Sequence, residues 1–238
     1  MSSAQVRVLT RLAVVTGMVT GLAMGVVVVT AGRAAAGNAP KAEIATAKKA
    51  LLVLSDLPKG WKSSGSSNNN PPTPGAAQLA HCIGIPVSEI NDTPPTAYSR
   101  NFNSADDLQS AYDNVSIFPS AKAARADIAA DARAKTPGCL TTNFNGPSKK
   151  LLTSSFGSRA VVGTIDVTRT PASYYAPRTT NVTIYFPVTT QGETLNVEST
   201  EVTFVRGREE QTVTLVSVQT PFPTALARRL TTVADGRL

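Results

Sequence analysis

The feature that most restricts the fold of this 238-residue chain is an alternating pattern between residues 160 and 220. Apolar residues occupy every second position of one stretch, as Val182, Ile184, Phe186 and Val188. A period of two places such residues on one face of a β-strand. Gln191-Gly192 follows, and glycine supplies the positive φ that a tight turn needs. The region is therefore predicted to form an antiparallel sheet.

Three more segments extend the predicted sheet. The second strand is marked by Leu195, Val197, Val202 and Phe204. Its apolar parity changes, which predicts a β-bulge or a bend near residues 198–200. After a turn at residues 206–208, the β-branched segment Thr212–Thr220 gives a third strand, and Val161–Thr168 gives a fourth. Strands joined by short turns pair antiparallel.

Helices are predicted before, beside and after this sheet. The first is Lys41–Leu54, whose apolar stripe consists of Ile44, Ala47, Leu51 and Leu54. The others are Ala76–Ile83, Ala121–Lys135 after the N-cap Ser120, with an Asp131–Lys135 pair, and a C-terminal helix through Leu226, Leu230 and Val233. Thr136-Pro137-Gly138 is expected to end the third helix. The fold class is thus α+β, with N-terminal, central and C-terminal helices packed on an antiparallel sheet.

The remaining segments of the chain are predicted as follows. Residues Tyr98–Asn103 and Ala111–Phe118 form two further strands, Ile85–Ile90 is a short extended piece, and Thr141–Ser158 is mostly irregular. Residues 63–75 are a low-complexity loop that lacks apolar side chains.

The first 36 residues have the composition of a targeting segment. Arg7 and Arg11 precede an apolar run, residues 12–30, and Ala34-Ala35-Ala36 offers a small-residue cleavage site. The run is also just long enough to span a bilayer, so the alternatives are a cleaved signal peptide and an N-terminal membrane anchor. We expect residues 37–238 to be a single exported domain, secreted or held at the cell envelope, that touches the membrane only through residues 12–30 if they are retained.

Composition and charge favour a folded domain that does not bind nucleic acid. Hydrophobic residues make up 42% of the chain and charged residues 16%. The net charge of +7 falls to +4 without the three arginines of the first 36 residues. No basic cluster is interleaved with aromatic residues, which is the pattern expected of a nucleic-acid surface.

Cys82 and Cys139 are the only cysteines of the sequence. An even cysteine count in an exported chain predicts a disulfide. A catalytic thiol or a metal pair is the alternative, but two cysteines and His81 supply too few ligands for a usual metal site. No metal and no cofactor is predicted.

Sequence motifs of catalysis are missing from the chain. It has one histidine, no Gly-x-Ser-x-Gly elbow, no zinc-protease pattern and no phosphate-binding glycine loop. We therefore predict that the protein is not an enzyme. A small envelope hydrolase that uses carboxylates such as Asp106 or Glu209 is the alternative, since distant carboxylates leave no sequence signature.

The segment Thr170–Thr180 is the predicted binding loop. Its candidate contact residues are Arg169, Tyr174, Tyr175 and Arg178. Tyrosine and arginine are enriched at contact hot spots, and the flanking prolines lower the cost of ordering a loop. The competing interpretation is a connection whose tyrosines fold back onto the sheet.

The motif Leu57-Pro58-Lys59-Gly60-Trp61 follows the leading helix. With the cysteine pair, the run of strands and a C-terminal helix ending near Arg237-Leu238, it resembles actinobacterial exported proteins. These include lipoproteins and the extracellular sensor-like domains of some serine/threonine kinases. The resemblance implies a PsbP-like α+β fold and brings no catalytic residues. The chain differs in having no lipid-accepting cysteine and no kinase domain.

From these observations we predict a non-catalytic, sensor-like module outside the cytoplasm. Its partner would be a small ligand or another envelope protein. A purely structural envelope protein remains a third alternative.

Overall fold

A computed structural model of the protein describes residues 41–65, 73–91, 94–157, 159–176 and 179–238. The strands are β1 (Lys62–Ser63), β2 (Thr96–Tyr98), β3 (Phe102–Asn103), β4 (Gln109–Ile117), β5 (Val161–Val162), β6 (Asp166–Thr168), β7 (Thr180–Thr190), β8 (Glu193–Arg206) and β9 (Glu209–Val218). The helices are α1 (Lys41–Ala50), α2 (Ala76–Ile83), α3 (Val87–Asn91), α4 (Ala121–Asp131), α5 (Thr136–Asn145), α6 (Lys149–Ser155) and α7 (Thr224–Arg237). The α+β prediction is confirmed.

The strands form one antiparallel sheet in the order β1-β3-β4-β9-β8-β7-β5. The short strands β2 and β6 add to β4 and β7. β7, β8 and β9 are joined by tight turns, and Gly192 and Gly207 both have positive φ there. The predicted sheet region and its turns therefore lie where the alternating pattern placed them.

The predicted bulge at residues 198–200 is wrong. β8 pairs with β7 and with β9 in an unbroken register through this segment. The apolar parity changes because the covered face changes. Val197 packs on the upper face, defined by Phe186, Val197 and Val216, whereas Val202 packs on the lower face, defined by Val202, Phe204 and Leu215.

Each face of the sheet therefore has an apolar and a polar region, and these regions are covered in different ways. Helices α2, α3, α5 and α6 bury the apolar part of the upper face, and α1 and α7 bury the apolar parts of the lower face. The rest of the upper face is polar and lies under α4, whose Ala124 and Asp127 are fully buried. The rest of the lower face is polar and forms an open groove, described below.

The first helix ends four residues earlier than predicted, and Leu54 is 43% exposed instead of belonging to the apolar stripe. The helix ends early because a buried polar network forms hydrogen bonds with the backbone at Ala50 and Leu52. The Leu52 backbone N–H donates to the Asp113 carboxylate at 3.1 Å, and Gln211 Nε2 donates to the Ala50 carbonyl at 3.2 Å. Burial raises the pKa of Asp113 to about 6 against the lowering effect of its hydrogen bonds.

Four other predictions of local structure are corrected. Residues 87–91 are helical where an extended piece was expected, and α5 and α6 occupy most of the segment expected to be irregular. Pro137 does not end a helix but stands in the first turn of α5, where a missing N–H costs nothing. Asp131 does not pair with Lys135, because Asp131 is buried beside Arg169.

The predicted fourth strand is divided into β5 and β6 at Gly163. Pro187 faces Gly163 from β7 and cannot donate a ladder hydrogen bond. The Gly163 N–H instead donates to the Pro187 carbonyl at 2.9 Å. The glycine allows this close approach, because a Cβ at position 163 would lie 2.6 Å from Pro187 Cγ.

Gly163→Ala is therefore expected to lower the free energy of unfolding by about 1–3 kcal/mol, the usual cost of overpacking. Gly236→Ala in α7 is the matched control. A Cβ there meets nothing within 4 Å, so stability should rise by up to about 1 kcal/mol. Urea unfolding of both variants checks the prediction, and a Gly163→Ala protein as stable as wild type would contradict it.

Candidate ligand-binding groove

A row of polar residues crosses four neighbouring strands on the uncovered part of the lower face. Asp166 on β6 is the register partner of Tyr185 on β7, and Tyr185 is the partner of Glu198 on β8. Glu198 is in turn the partner of Ser217 on β9. Register partners in antiparallel strands point to the same face with Cβ atoms about 5 Å apart. The fold thus aligns four side chains that are up to 51 positions apart in sequence.

These four residues line a groove with a volume of about 330 Å³. Its other lining residues are Thr164, Phe186, Pro187, Asn196, Val197, Gln219, Thr220 and Pro221. The volume is at the lower end of the range for small-molecule sites. Tyr185 is 40% exposed within it and presents an aromatic ring to solvent.

Ser217 carries the clearest sign of a ligand site. Its side chain is 1% exposed, and its hydroxyl has no hydrogen-bond partner within the described residues. Buried hydroxyl groups are usually hydrogen-bonded, since leaving one unpaired costs about 1–3 kcal/mol. Because Ser217 also lines the groove, rotation of its side chain would bring the hydroxyl to a polar group that enters there.

Glu198 gives the groove its electrostatic character. Partial burial raises the pKa of Glu198, against the backbone N–H of Phe222 that donates to its carboxylate. The pKa of Tyr185 is raised by burial and then by the negative charges of Glu198 and nearby groups, Asp166 among them. The carboxylates of Glu198 and Asp166 therefore lie close enough to Tyr185 to disfavour its ionised form.

The motif around Trp61 supports one wall of the groove. The Trp61 ring meets the Phe222 ring edge-on, with centroids 6.4 Å apart. Phe222 directly follows the rim residue Pro221 and supplies the backbone N–H to Glu198. Trp61 therefore acts as a packing residue next to the groove.

The residues of the predicted binding loop do not form a common exposed surface in the described part of the chain. Tyr175 is 6% exposed and packs against the lower face, and its pKa is raised by burial despite hydrogen bonds with Thr170, Thr200 and Thr183. Tyr174 is 41% exposed. Arg178 lies outside the described residues. A binding role for this loop stays a prediction.

Arg169 is occupied by backbone contacts. Its guanidinium donates to the carbonyls of Asp131, Arg133 and Asn181 and to the hydroxyl of Thr180. It thereby ties the end of α4 to the start of β7. These bonds give Arg169 a structural task at the edge of the sheet.

Three carboxylates form a buried acid cluster between α4 and the sheet: Asp127, Asp131 and Glu210. Burial raises the pKa of Glu210, the nearby Asp131 raises it further, and a hydrogen bond with Asp127 lowers it. Burial also raises the pKa of Asp131, against the charge of Arg169. Two carboxyl groups hydrogen-bond each other only when one holds a proton. Because α4 covers the cluster, we connect it with stability and not with ligand binding.

The carboxylates proposed for a hydrolase are not brought together. Asp106 caps the turn before β4, where it accepts from the Ser104 hydroxyl at 2.6 Å. Glu209 is the register partner of Ile117 at the far end of β4. Eight residues of strand separate the two ends by about 26 Å, far more than the spacing of a glycosidase pair. No group of three or more His, Cys, Asp or Glu residues in the described ranges could hold a metal ion.

Cys82 and Cys139 form the predicted disulfide, which joins α2 to α5 across 57 positions. In the described part of the chain, no helix is long and apolar enough to cross a membrane. The predicted targeting segment, residues 1–36, lies outside the described ranges.

Comparison with known proteins gives remote structural likenesses, among them two mycobacterial proteins. The extracellular domain of PknH from Mycobacterium tuberculosis is 11% identical with a TM-score of 0.31, and the match covers 67% of this chain and 91% of that domain. An uncharacterised protein from Mycobacterium smegmatis, an Rv0999 ortholog, is 16% identical with a TM-score of 0.35 over 85% of this chain and 98% of that one. No family model and no curated protein matches the chain. The PsbP-like assignment therefore stays a prediction.

Proposed function

We propose that the protein is a non-catalytic module that binds a small polar ligand in the groove of its sheet. The main support is the unpartnered hydroxyl of Ser217, a residue that lines the open groove. Exposed Tyr185 and the carboxylates of Asp166 and Glu198 stand in the same row. An aromatic ring with a few convergent polar groups is the usual composition of a binding site.

We further propose that the protein is located outside the cytoplasm. A disulfide persists in oxidising compartments, and the Cys82–Cys139 bond supports such a location. The targeting composition of residues 1–36 supports it independently. A sensor-like role, in which an occupied groove is recognised by another envelope protein, is part of the proposal.

Tyr185→Ala is expected to reduce ligand retention at least tenfold, whereas Tyr174→Ala is expected to leave it unchanged. The two tyrosines are matched, because 40% and 41% of their surfaces are exposed. Only Tyr185 lies in the groove. Native mass spectrometry of the protein recovered from its own host, as wild type and as each variant, measures the fraction that carries a bound molecule.

Two outcomes would contradict the proposal. Loss of the ligand in Tyr174→Ala but not in Tyr185→Ala would move the site to the predicted loop. Turnover of cell-wall sugars, peptides or esters by the wild-type protein, abolished in Glu198→Gln, would show that the groove is catalytic. Both tyrosine variants should unfold within about 0.5 kcal/mol of wild type, as expected for surface substitutions.

A further inference from the structure

The charges in the groove all have one sign. Among the described residues that line it, the ionisable side chains are Asp166, Tyr185 and Glu198, and no lysine, arginine or histidine is present. The ion pairs found elsewhere in the described ranges involve Glu43, Asp56 and Asp235, and not these two acids. This local acidity stands out in a chain whose net charge is +7.

The order of the residues along the row, like their charge, indicates the kind of ligand that would fit. Tyr185 stands between Asp166 and Glu198, one strand from each. At about 4.8 Å per strand, the two carboxyl-bearing positions are about 10 Å apart with an aromatic ring between them. A cation over the ring of a tyrosine is attracted by its π-electrons, and carboxylates on both sides strengthen this attraction.

We propose that the ligand is a small organic cation, an alkylammonium or alkyldiammonium ion, held over Tyr185 between Asp166 and Glu198. This inference rests on the proposed function, since it names the ligand class of the same groove. An ammonium group would neutralise Glu198, whose half-buried carboxylate now receives one backbone N–H from Phe222. The Ser217 hydroxyl would accept an N–H of the ligand. A neutral sugar could use the serine and the ring but would leave both carboxylates without a counter-charge.

The test uses a charged probe and its neutral analogue on the isotope-labelled protein. We expect 1,5-diaminopentane to cause saturable NMR shifts at the amides of Tyr185, Glu198 and Ser217. The neutral 1,5-pentanediol should bind at least tenfold more weakly. Raising the salt concentration should weaken diamine binding, because screening reduces the attraction between exposed charges.

Glu198→Gln should weaken diamine binding about tenfold, and Glu209→Gln should not. Glu209 is the matched control, as a partly exposed acid at the opposite end of the same sheet. Equal binding of diamine and diol with no effect of Glu198→Gln would overturn the cation assignment and leave the groove as the ligand site. Diamine shifts confined to residues outside the groove, or no saturable shifts at all, would also overturn it. The comparison of native-ligand retention between wild type and Tyr185→Ala separately tests whether the groove is a ligand-binding site.

Discussion

Removing the Cys82–Cys139 disulfide is expected to lower the free energy of unfolding by about 4 kcal/mol. The bond closes a loop of 57 positions, and the chain-entropy account assigns about this stabilisation to a loop of that length. Domains of this kind are stable by only about 5–15 kcal/mol. The bond also holds α2 against α5 in the helical layer on the upper face. Urea unfolding of wild type and of the Cys82→Ala/Cys139→Ala protein measures the difference.

The reduced wild-type protein is the control for the side-chain change. It lacks only the cross-link, whereas the double variant also loses the sulfur atom of buried Cys139, so the double variant should lose at least as much stability. A loss below about 1 kcal/mol in both would contradict the prediction. The groove lies on the opposite face of the sheet, so the folded double variant should still bind its ligand.

Raising the pH from 5 to 9 is expected to destabilise the protein, contrary to the behaviour of domains whose acids are mostly ion-paired. Burial raises the pKa of Asp113 to about 6, of Asp131 to about 7 and of Glu210 to about 8. The folded state therefore holds protons that the unfolded chain has released above about pH 4. Stability is greatest below that pH for these groups and is lost as the pH rises through their folded pKa values. The slope is about 1.4 kcal/mol per pH unit for each carboxyl within its window.

The Glu210→Gln variant distinguishes the contribution of the buried acid cluster to the pH dependence of stability from that of the other ionisable groups. The amide imitates a protonated carboxyl, so stability at pH 5 should stay within about 1 kcal/mol of wild type. At pH 9 the variant should be more stable than wild type. The groups that act on Glu210, Asp127 and Asp131, are unchanged in the variant, and so is Arg169 beside Asp131. Thermal unfolding at pH 5, 7 and 9 measures the effect, and parallel pH profiles of the two proteins would contradict it.

Local sequence patterns predicted the central sheet, but they did not predict which helices pack on each of its faces. The alternation at residues 182–188 predicted β7, and Gly192 and Gly207 marked its turns. The parity change after Val197 was a true signal that was misread, because a bulge and an exchange of covered faces produce the same pattern along one strand. The unbroken register of β8 and the packing of α7 on Val202 distinguish the two. The helix break expected at Pro137 failed for a similar reason, since proline both ends helices and starts them.

The groove could not have been found in the sequence by its spacing. Asp166, Tyr185, Glu198 and Ser217 come from four strands, and only the strand register makes them neighbours. Along the sequence, each of them is a polar residue in an alternating strand, which is common and does not indicate a binding site. A sequence signal does exist in hindsight: Tyr185, Glu198 and Ser217 are polar at positions whose strands bury apolar residues on the other face. The predicted loop drew attention instead, because tyrosines between prolines are conspicuous along a chain.

A crystal structure of the protein purified from its own host would show whether the open groove of the lower face binds a ligand. We predict electron density over the Tyr185 ring, in hydrogen-bond contact with the Ser217 hydroxyl and beside the Glu198 carboxylate. Density for a copurified molecule at another place, with Ser217 bonded only to protein, would contradict it.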